Sequence, residues 1–250
     1  MRAVITGATS GIGEAITTYL SGKGWDLILT GRNEAKLKEM QNALKGETDI
    51  IALDLAEDRA PYRLYEFCKG KDVDVLINNA GFAVFGDFSE TPLDKELELI
   101  NVNIRAVHIL TKLFLRDFKV KNRGRIMNVA SSAGFMPGPL LSSYYASKSY
   151  VLRLTQAIRE ELRRSGSKVR VSAFCPGPVA TEFNSRAGVS FSMPQISAKY
   201  AAEYAIDEMF KGRTVIVPTL KMQALLFGCR FAPDCLVSAV AYEIQKRKIK

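Results

Sequence analysis

Residues 3–13 read AVITGATSGIG, and a helical pattern continues from them to about residue 22. Residues 3–6 form a short apolar strand, residues 6–13 a glycine-rich turn, and the turn opens directly into the helix. That order makes an anion site: glycine lets the backbone turn tightly and approach a ligand, and the free N–H groups of a helix N-terminus face negative charge. The spacing of Gly7, Gly11 and Gly13 is G-x-x-x-G-x-G rather than the commoner G-x-G-x-x-G. Gly7, Thr9, Ser10, Gly11, Ile12 and Gly13 are therefore candidates for holding a pyrophosphate. The alternative is a glycine-rich turn with no ligand.

Outward from this loop the elements alternate. Strands are expected at residues 26–30, 49–53, 73–78, 124–130, 169–175 and 214–218. Helices are expected at residues 34–44, 93–118, 144–165 and 196–210, the last capped by Ser197. Strands that are apolar almost throughout and alternate with helices indicate a parallel sheet covered on both faces. The expectation is a single doubly wound α/β (Rossmann) domain over residues 1–250, with about seven strands. No Pro/Gly/Ser-rich linker, internal repeat or low-complexity segment divides the chain.

The composition is that of a globular protein: 250 residues, 47% of them apolar. The net charge is +9, from 35 basic and 26 acidic residues. Such a surplus suits an anionic ligand or a membrane surface, and the absence of a basic run interleaved with aromatics speaks against nucleic acid. Cys68, Cys175, Cys229 and Cys235 form no C-x-x-C pair and are read as free thiols of a reducing, cytoplasmic compartment. No signal peptide is read in the opening residues, and no apolar run reaches the roughly 20 residues that span a bilayer. His108 is the lone histidine and is read as a helix-face residue at a subunit contact. Without a second histidine or a Cys/His cluster, no metal site is expected. Cys175 is read as a small core residue at a strand end.

Ligands of open α/β sheets bind at the carboxyl ends of the strands. The second strand ends in Thr30-Gly31-Arg32-Asn33, with no carboxylate for ribose hydroxyls and with a guanidinium suited to a 2′-phosphate. Arg32 and Asn33 thus point to NADP(H), with NAD(H) possible; a solvated surface arginine is the plain alternative. Asp54-Leu55 ends the third strand, where Asp54 could meet an adenine amino group. Asn78-Asn79-Ala80-Gly81 ends the fourth, where small residues would let backbone lie against adenosine. Asn78 and Asn79 could equally be turn residues that hold the loop together.

Tyr144 and Lys148 stand at i and i+4, one above the other on a helix face. A positive charge beside a phenol lowers its pKa from about 10, which makes a tuned proton donor. By itself the pair is a weak signal.

Taken together, TGATSGIG, Asp54-Leu55, NNAG, the asparagine of INVN, the serine of NVASS, YYASK and CPGPVAT fall in one order, and the chain resembles the short-chain dehydrogenase/reductases over essentially its whole length. The resemblance implies hydride transfer between a nicotinamide and a carbonyl or secondary alcohol. Tyr144 resembles the general acid/base. Lys148 resembles the lysine that lowers the tyrosine pKa and binds the nicotinamide ribose. Ser131 matches the serine that hydrogen-bonds the substrate oxygen, with Ser132 its competitor. Asn103 matches the asparagine that anchors a relay water, ahead of Asn101. Pro176, Gly177, Val179 and Thr181 resemble the segment that packs on nicotinamide. The resemblance also implies a homodimer or homotetramer through the helices near residues 97–118 and 144–165.

Three functions stay in view: reduction of an apolar carbonyl, reduction of a 3-oxoacyl thioester, and non-catalytic NADP binding. Substrate specificity is expected in a lid at about residues 183–210, with Phe183, Val189, Phe191 and Met193 apolar, and in a C-terminal segment at about 219–250. That segment ends in Lys246, Arg247, Lys248 and Lys250. It could rest on a membrane or grip an acyl carrier. The favoured expectation is packing on its own domain or a partner subunit, because Pro218 and Pro233 break any long interfacial helix.

Overall fold

A computed structural model describes residues 1–183 and 194–246. Seven parallel strands form the main sheet in the order β3-β2-β1-β4-β5-β6-β9. They are β1 (Arg2–Thr6), β2 (Asp26–Gly31), β3 (Thr48–Ala52), β4 (Val75–Asn78), β5 (Arg125–Val129), β6 (Arg170–Phe174) and β9 (Val215–Ile216). A separate parallel pair joins β7 (Val179–Ala180) to β8 (Ile196–Ser197). The helices among the described residues are α1 (Gly11–Gly22), α2 (Glu34–Ala43), α3 (Ala60–Cys68), α4 (Leu93–Ile100), α5 (Val107–Lys121), α6 (Ser142–Arg164), α7 (Ala198–Phe210), α8 (Leu220–Cys229) and α9 (Asp234–Lys246).

Alternate residues of each strand point to opposite faces, and both faces are buried. Ile5, Leu27, Leu29 and Ile77 pack with Ile16 and Leu20 of α1 and with Ala205 and Met209 of α7. Val4, Ile28, Leu76 and Ile126 turn the other way, onto Leu64 of α3 and onto Leu110, Phe114 and Phe118 of α5. The chain winds one way through β1, β2 and β3 and the other way through β4, β5, β6 and β9. The strand order therefore reverses between β1 and β4, and a crevice opens at their carboxyl ends.

Three elements depart from the expectation. Helix α3 went unassigned in the sequence; Pro61 stands at its start, where the missing N–H costs nothing, and Ala60, Leu64 and Cys68 supply a short buried stripe. The single helix expected at 93–118 is α4 and α5 joined by a π-helical stretch, Asn101–Ala106. That stretch resets the helical phase, so that Val102, Asn103, Ala106 and Val107 all turn inward. The last strand shortens to Val215–Ile216. Pro233 separates α8 from α9, as the sequence suggested. Ser197 caps α7 by accepting from Tyr200 N.

Candidate active site

The crevice deepens into a cavity of about 1240 Å³ that runs from the glycine loop to α8 and α9. A drug-sized ligand needs roughly 300–1,000 Å³, so this space suits a dinucleotide with a second molecule.

At one end the loop between β1 and α1 is held in a single shape. Thr6 Oγ1 accepts from the N–H groups of both Asn79 and Ala80. The Asn79 amide donates to Thr6 O and Gly7 O. Of the two readings of Asn79, its side chain fulfils the loop-holding one. Asn78 is buried and donates to Thr111 Oγ1 and Asn128 Oδ1, so it too serves the scaffold. Gly7 and Gly11 have φ of +63° and +56°, which side chains rarely adopt. A Cβ at Gly13 would stand 2.2 Å from Gly7 O. Ser10 caps α1 through extended backbone and makes no side-chain cap bond. The loop is thus compressed onto the end of β4 with the helix terminus facing the cavity, and this cradle fits a pyrophosphate. Thr9, Ser10, Gly11 and Ile12 all line it.

At the end of β2, Arg32 lies on the cavity wall, 65% exposed, with Nη1 3.8 Å from Asp54 and 3.6 Å from Glu98. Lys95 Nζ donates to Glu98 at 2.8 Å. Two cations and two carboxylates therefore meet at this end of the cavity. Lys95 and Glu98 carry no mark in the sequence, because only the folded chain brings α4 to Arg32 in the loop after β2. Asn33 also lines the wall, but its side-chain oxygen caps α2 by accepting from Lys36 N. Asp54 Oδ1 accepts from Ala56 N, and Leu55, Ala80 and Gly81 complete this end.

In the middle of the cavity, Ser131, Tyr144 and Lys148 come together. Ser131 follows β5, and its Oγ accepts from Ala133 N, which fixes the side chain at the head of a short 3-10 turn, Ser132–Phe135. Ser132 lines the same cavity, and its N–H donates to Pro176 O. Tyr144 and Lys148 share one face of α6, with Lys148 Nζ 5.7 Å from the centre of the tyrosine ring. That Nζ donates to Val129 O at 2.8 Å.

The electrostatics differ from the expectation that Lys148 would lower the Tyr144 pKa. Burial pushes the Tyr144 hydroxyl up to about 12, with a hydrogen bond to Ser131 acting the other way. Burial also pushes the Lys148 ammonium down to about 8. Loss of water around each group is the first cause of both shifts, and the Lys148 ammonium, standing off the ring and held by a backbone carbonyl, does not reverse the one on Tyr144.

Asn103 sits in the π-helical stretch, fully buried. Its oxygen accepts from Phe82 N, and its amide donates to Phe82 O and Ser147 Oγ. Gly81 lies against it and against Lys148: a Cβ there would stand 2.9 Å from Asn103 Oδ1 and 3.3 Å from Lys148 Nζ. Asn103 thus ties the loop after β4 to α6 behind the lysine. Asn101 opens the π-helical stretch two positions earlier.

The far wall begins with Pro176, Gly177, Val179 and Thr181. Thr181 packs on Gly11, so this segment closes over the glycine loop. Met222 of α8 packs on Gly177, with Cε 2.5 Å from where a Cβ would be. Phe183 packs on Tyr144 at 5.6 Å between ring centres. Val189, Phe191 and Met193 of the expected lid, and Arg247, Lys248 and Lys250 of the basic tail, lie outside the described residues. Apart from Glu182 and Gln245, the rest of this end is apolar: Phe85 from one side, and Leu225, Leu236, Val240 and Ile244 from α8 and α9. Gln245 of α9 donates to Tyr145 Oη at 2.7 Å. The contribution of α8 and α9 was not assigned residue by residue from the sequence, because α8 has no polar face and carries no periodic mark of its inner face.

Comparison with known proteins gives this geometry a context. A family model described as short chain dehydrogenase matches residues 1–189. The human protein named inactive hydroxysteroid dehydrogenase-like protein 1 is 36% identical over 72% of this chain and 56% of its own length. The very-long-chain 3-oxoacyl-CoA reductase of Rattus norvegicus is 34% identical over 72% of this chain and 60% of its own. The chain thus spans less than two thirds of the length of these curated relatives. A solved short-chain dehydrogenase from Sphingobium yanoikuyae, in complex with NADPH, superposes with a TM-score of 0.82 at 28% identity. That match covers 92% of this chain and 93% of the other.

Proposed function

Because the chain belongs to the short-chain dehydrogenase family, we propose that it is an oxidoreductase that uses NADP(H), and less readily NAD(H), to interconvert an apolar carbonyl compound and its secondary alcohol. The observation that carries this is the meeting of Ser131, Tyr144 and Lys148 in one cavity, between a glycine cradle and an apolar wall. The bound nicotinamide supplies or accepts the hydride. The chain's own residues do the rest. Gly7, Gly11 and Gly13 and the N-terminus of α1 hold the pyrophosphate. Arg32 and Lys95 draw a 2′-phosphate. Pro176, Gly177, Val179 and Thr181 close over the nicotinamide end.

When a carbonyl accepts hydride, negative charge builds on its oxygen and needs both a hydrogen bond and a proton. Ser131 donates the first and Tyr144 the second. With its hydroxyl near 12, Tyr144 holds its proton at neutral pH, the form needed for reduction. Lys148, near 8, is mostly charged there and stabilises the phenolate left behind. Asn103 holds the loop of Gly81 and Phe82 against that lysine.

A second reading, reduction of a 3-oxoacyl thioester, draws support from the apolar wall and from the relatives that carry that name. Non-catalytic NADP binding fits less well with a serine, tyrosine and lysine gathered at one point. A homodimer or homotetramer through α5 and α6 also belongs to this proposal: His108 Nδ1 and Tyr150 Oη meet at 2.6 Å and join the two helices into one exposed face.

The test is NADPH consumption with a panel of ketones, hydroxy acids and 3-oxoacyl thioesters. Turnover of apolar ketones supports the first reading, and turnover confined to thioesters replaces it with the second. No turnover with any member favours the third.

A further inference from the structure

Helix α8, LKMQALLFGC, carries only Lys221 and Gln223 as polar side chains. A helix with so few polar residues and no polar face belongs in a core or in lipid, yet Leu226 alone of its residues is buried. Leu220, Phe227 and Phe231 are 81%, 61% and 75% exposed, and the two phenyl rings stack edge to face 5.2 Å apart. Beside them Leu225, Leu236, Val240 and Ile244 are exposed and also line the cavity. The mouth of the cavity therefore opens inside the apolar face, and apolar side chains make its rim. Lys221, Arg230 and Lys246 are exposed on these two helices and the turn between them, with Asp234 and Glu243 as the carboxylates of α9, so the local balance is positive by one on a chain of net charge +9.

We propose that the outer face of α8 and α9 docks on an anionic lipid bilayer, and that the mouth in this face receives the apolar substrate from the bilayer. The second half rests on the apolar-substrate reading above; the docking itself does not. No helix among the described residues is long and apolar enough to cross a membrane, so the contact is interfacial, with Phe227 and Phe231 inserted and the cations at the headgroups. A bilayer fits better than a second copy of this chain, because a copy seated here would seal the mouth.

The test uses the full chain and sedimentation with vesicles of phosphatidylcholine alone or mixed with phosphatidylserine. The unaltered protein is expected to partition onto the mixed vesicles roughly tenfold better than onto phosphatidylcholine alone. Replacing Leu220, Phe227 and Phe231 together by Ser should weaken that partition by at least about tenfold. These three side chains do not line the cavity, so the variant should keep its NADPH affinity and its turnover of a small water-soluble ketone. Val120→Ser, at a residue 89% exposed on α5, should change nothing. Failure of the unaltered protein to bind either vesicle overturns docking, as does an equal loss in the Val120→Ser control. A dimer that the triple variant dissociates, without vesicle binding, assigns the face to a second copy and overturns it too. Vesicle binding without turnover would leave docking standing and count against the proposed activity.

Discussion

Lys148 is nearly fully buried and its ammonium is pushed down from the ordinary 10.5 to about 8. A base whose folded pKa is lowered binds fewer protons folded than unfolded between those two values. Stability therefore rises with pH through that window, and below it the folded state carries the full cost of a buried charge. At about 1.36 kcal/mol per pKa unit, that cost is about 3 kcal/mol at pH 7 and about 1 kcal/mol at pH 9.5. Lys148→Met removes it and keeps the volume. It also removes the donor to Val129 O, a loss of about 1–3 kcal/mol. The variant should therefore match or exceed the parent by up to about 2 kcal/mol at pH 7, or up to roughly 8 °C in Tm for a chain of this length. At pH 9.5 the difference should shift against the variant by about 2 kcal/mol. Tyr144, held near 12, takes no part below pH 10. Thermal unfolding of both proteins without cofactor at the two pH values measures this. A variant destabilised by the same amount at both would refute the buried-charge account and reduce Lys148 to a packing residue.

Arg32→Glu should raise the KM for NADPH by at least about tenfold with little change for NADH; equal effects on both would remove Arg32 from the 2′-phosphate. Glu98→Gln should do the reverse, lowering the NADPH KM several-fold by freeing Arg32 and Lys95 from a carboxylate, as initial-rate kinetics can show. Gly13→Ala puts a methyl 2.2 Å from Gly7 O, and because the obstacle is backbone the loop must open. Calorimetric titration should find NADPH affinity lost by about 100-fold or more, and retained affinity would mean that the loop does not hold the pyrophosphate.

The parts of this molecule that read clearly from sequence are those whose determinants lie close together in the chain. The run from Ala3 to Gly13 states a strand, a loop and a helix, and the strands β2, β4, β5 and β6 fall within about two residues of their expected bounds. Tyr144 and Lys148 share a face because the helix period puts them there. What was hidden depends on packing between distant segments. Lys95 and Glu98 reach Arg32 only because the fold brings α4 to the loop after β2. Helix α3 is short, with a stripe too brief to stand out. The direction of the Tyr144 pKa does not follow from the sequence, because spacing reports the neighbouring charge and not the loss of water around the phenol. The inner faces of α8 and α9 were illegible because a helix with no polar face does not say which side is in.

The central claim is that Tyr144 transfers the proton while the glycine cradle and Arg32 hold the cofactor independently of it. Comparing Tyr144→Phe with the parent, on whichever carbonyl substrate the panel identifies, tests both halves at once. Loss of one hydroxyl should lower kcat by about 100- to 10,000-fold while NADPH affinity changes less than about threefold. An unchanged kcat would contradict the account.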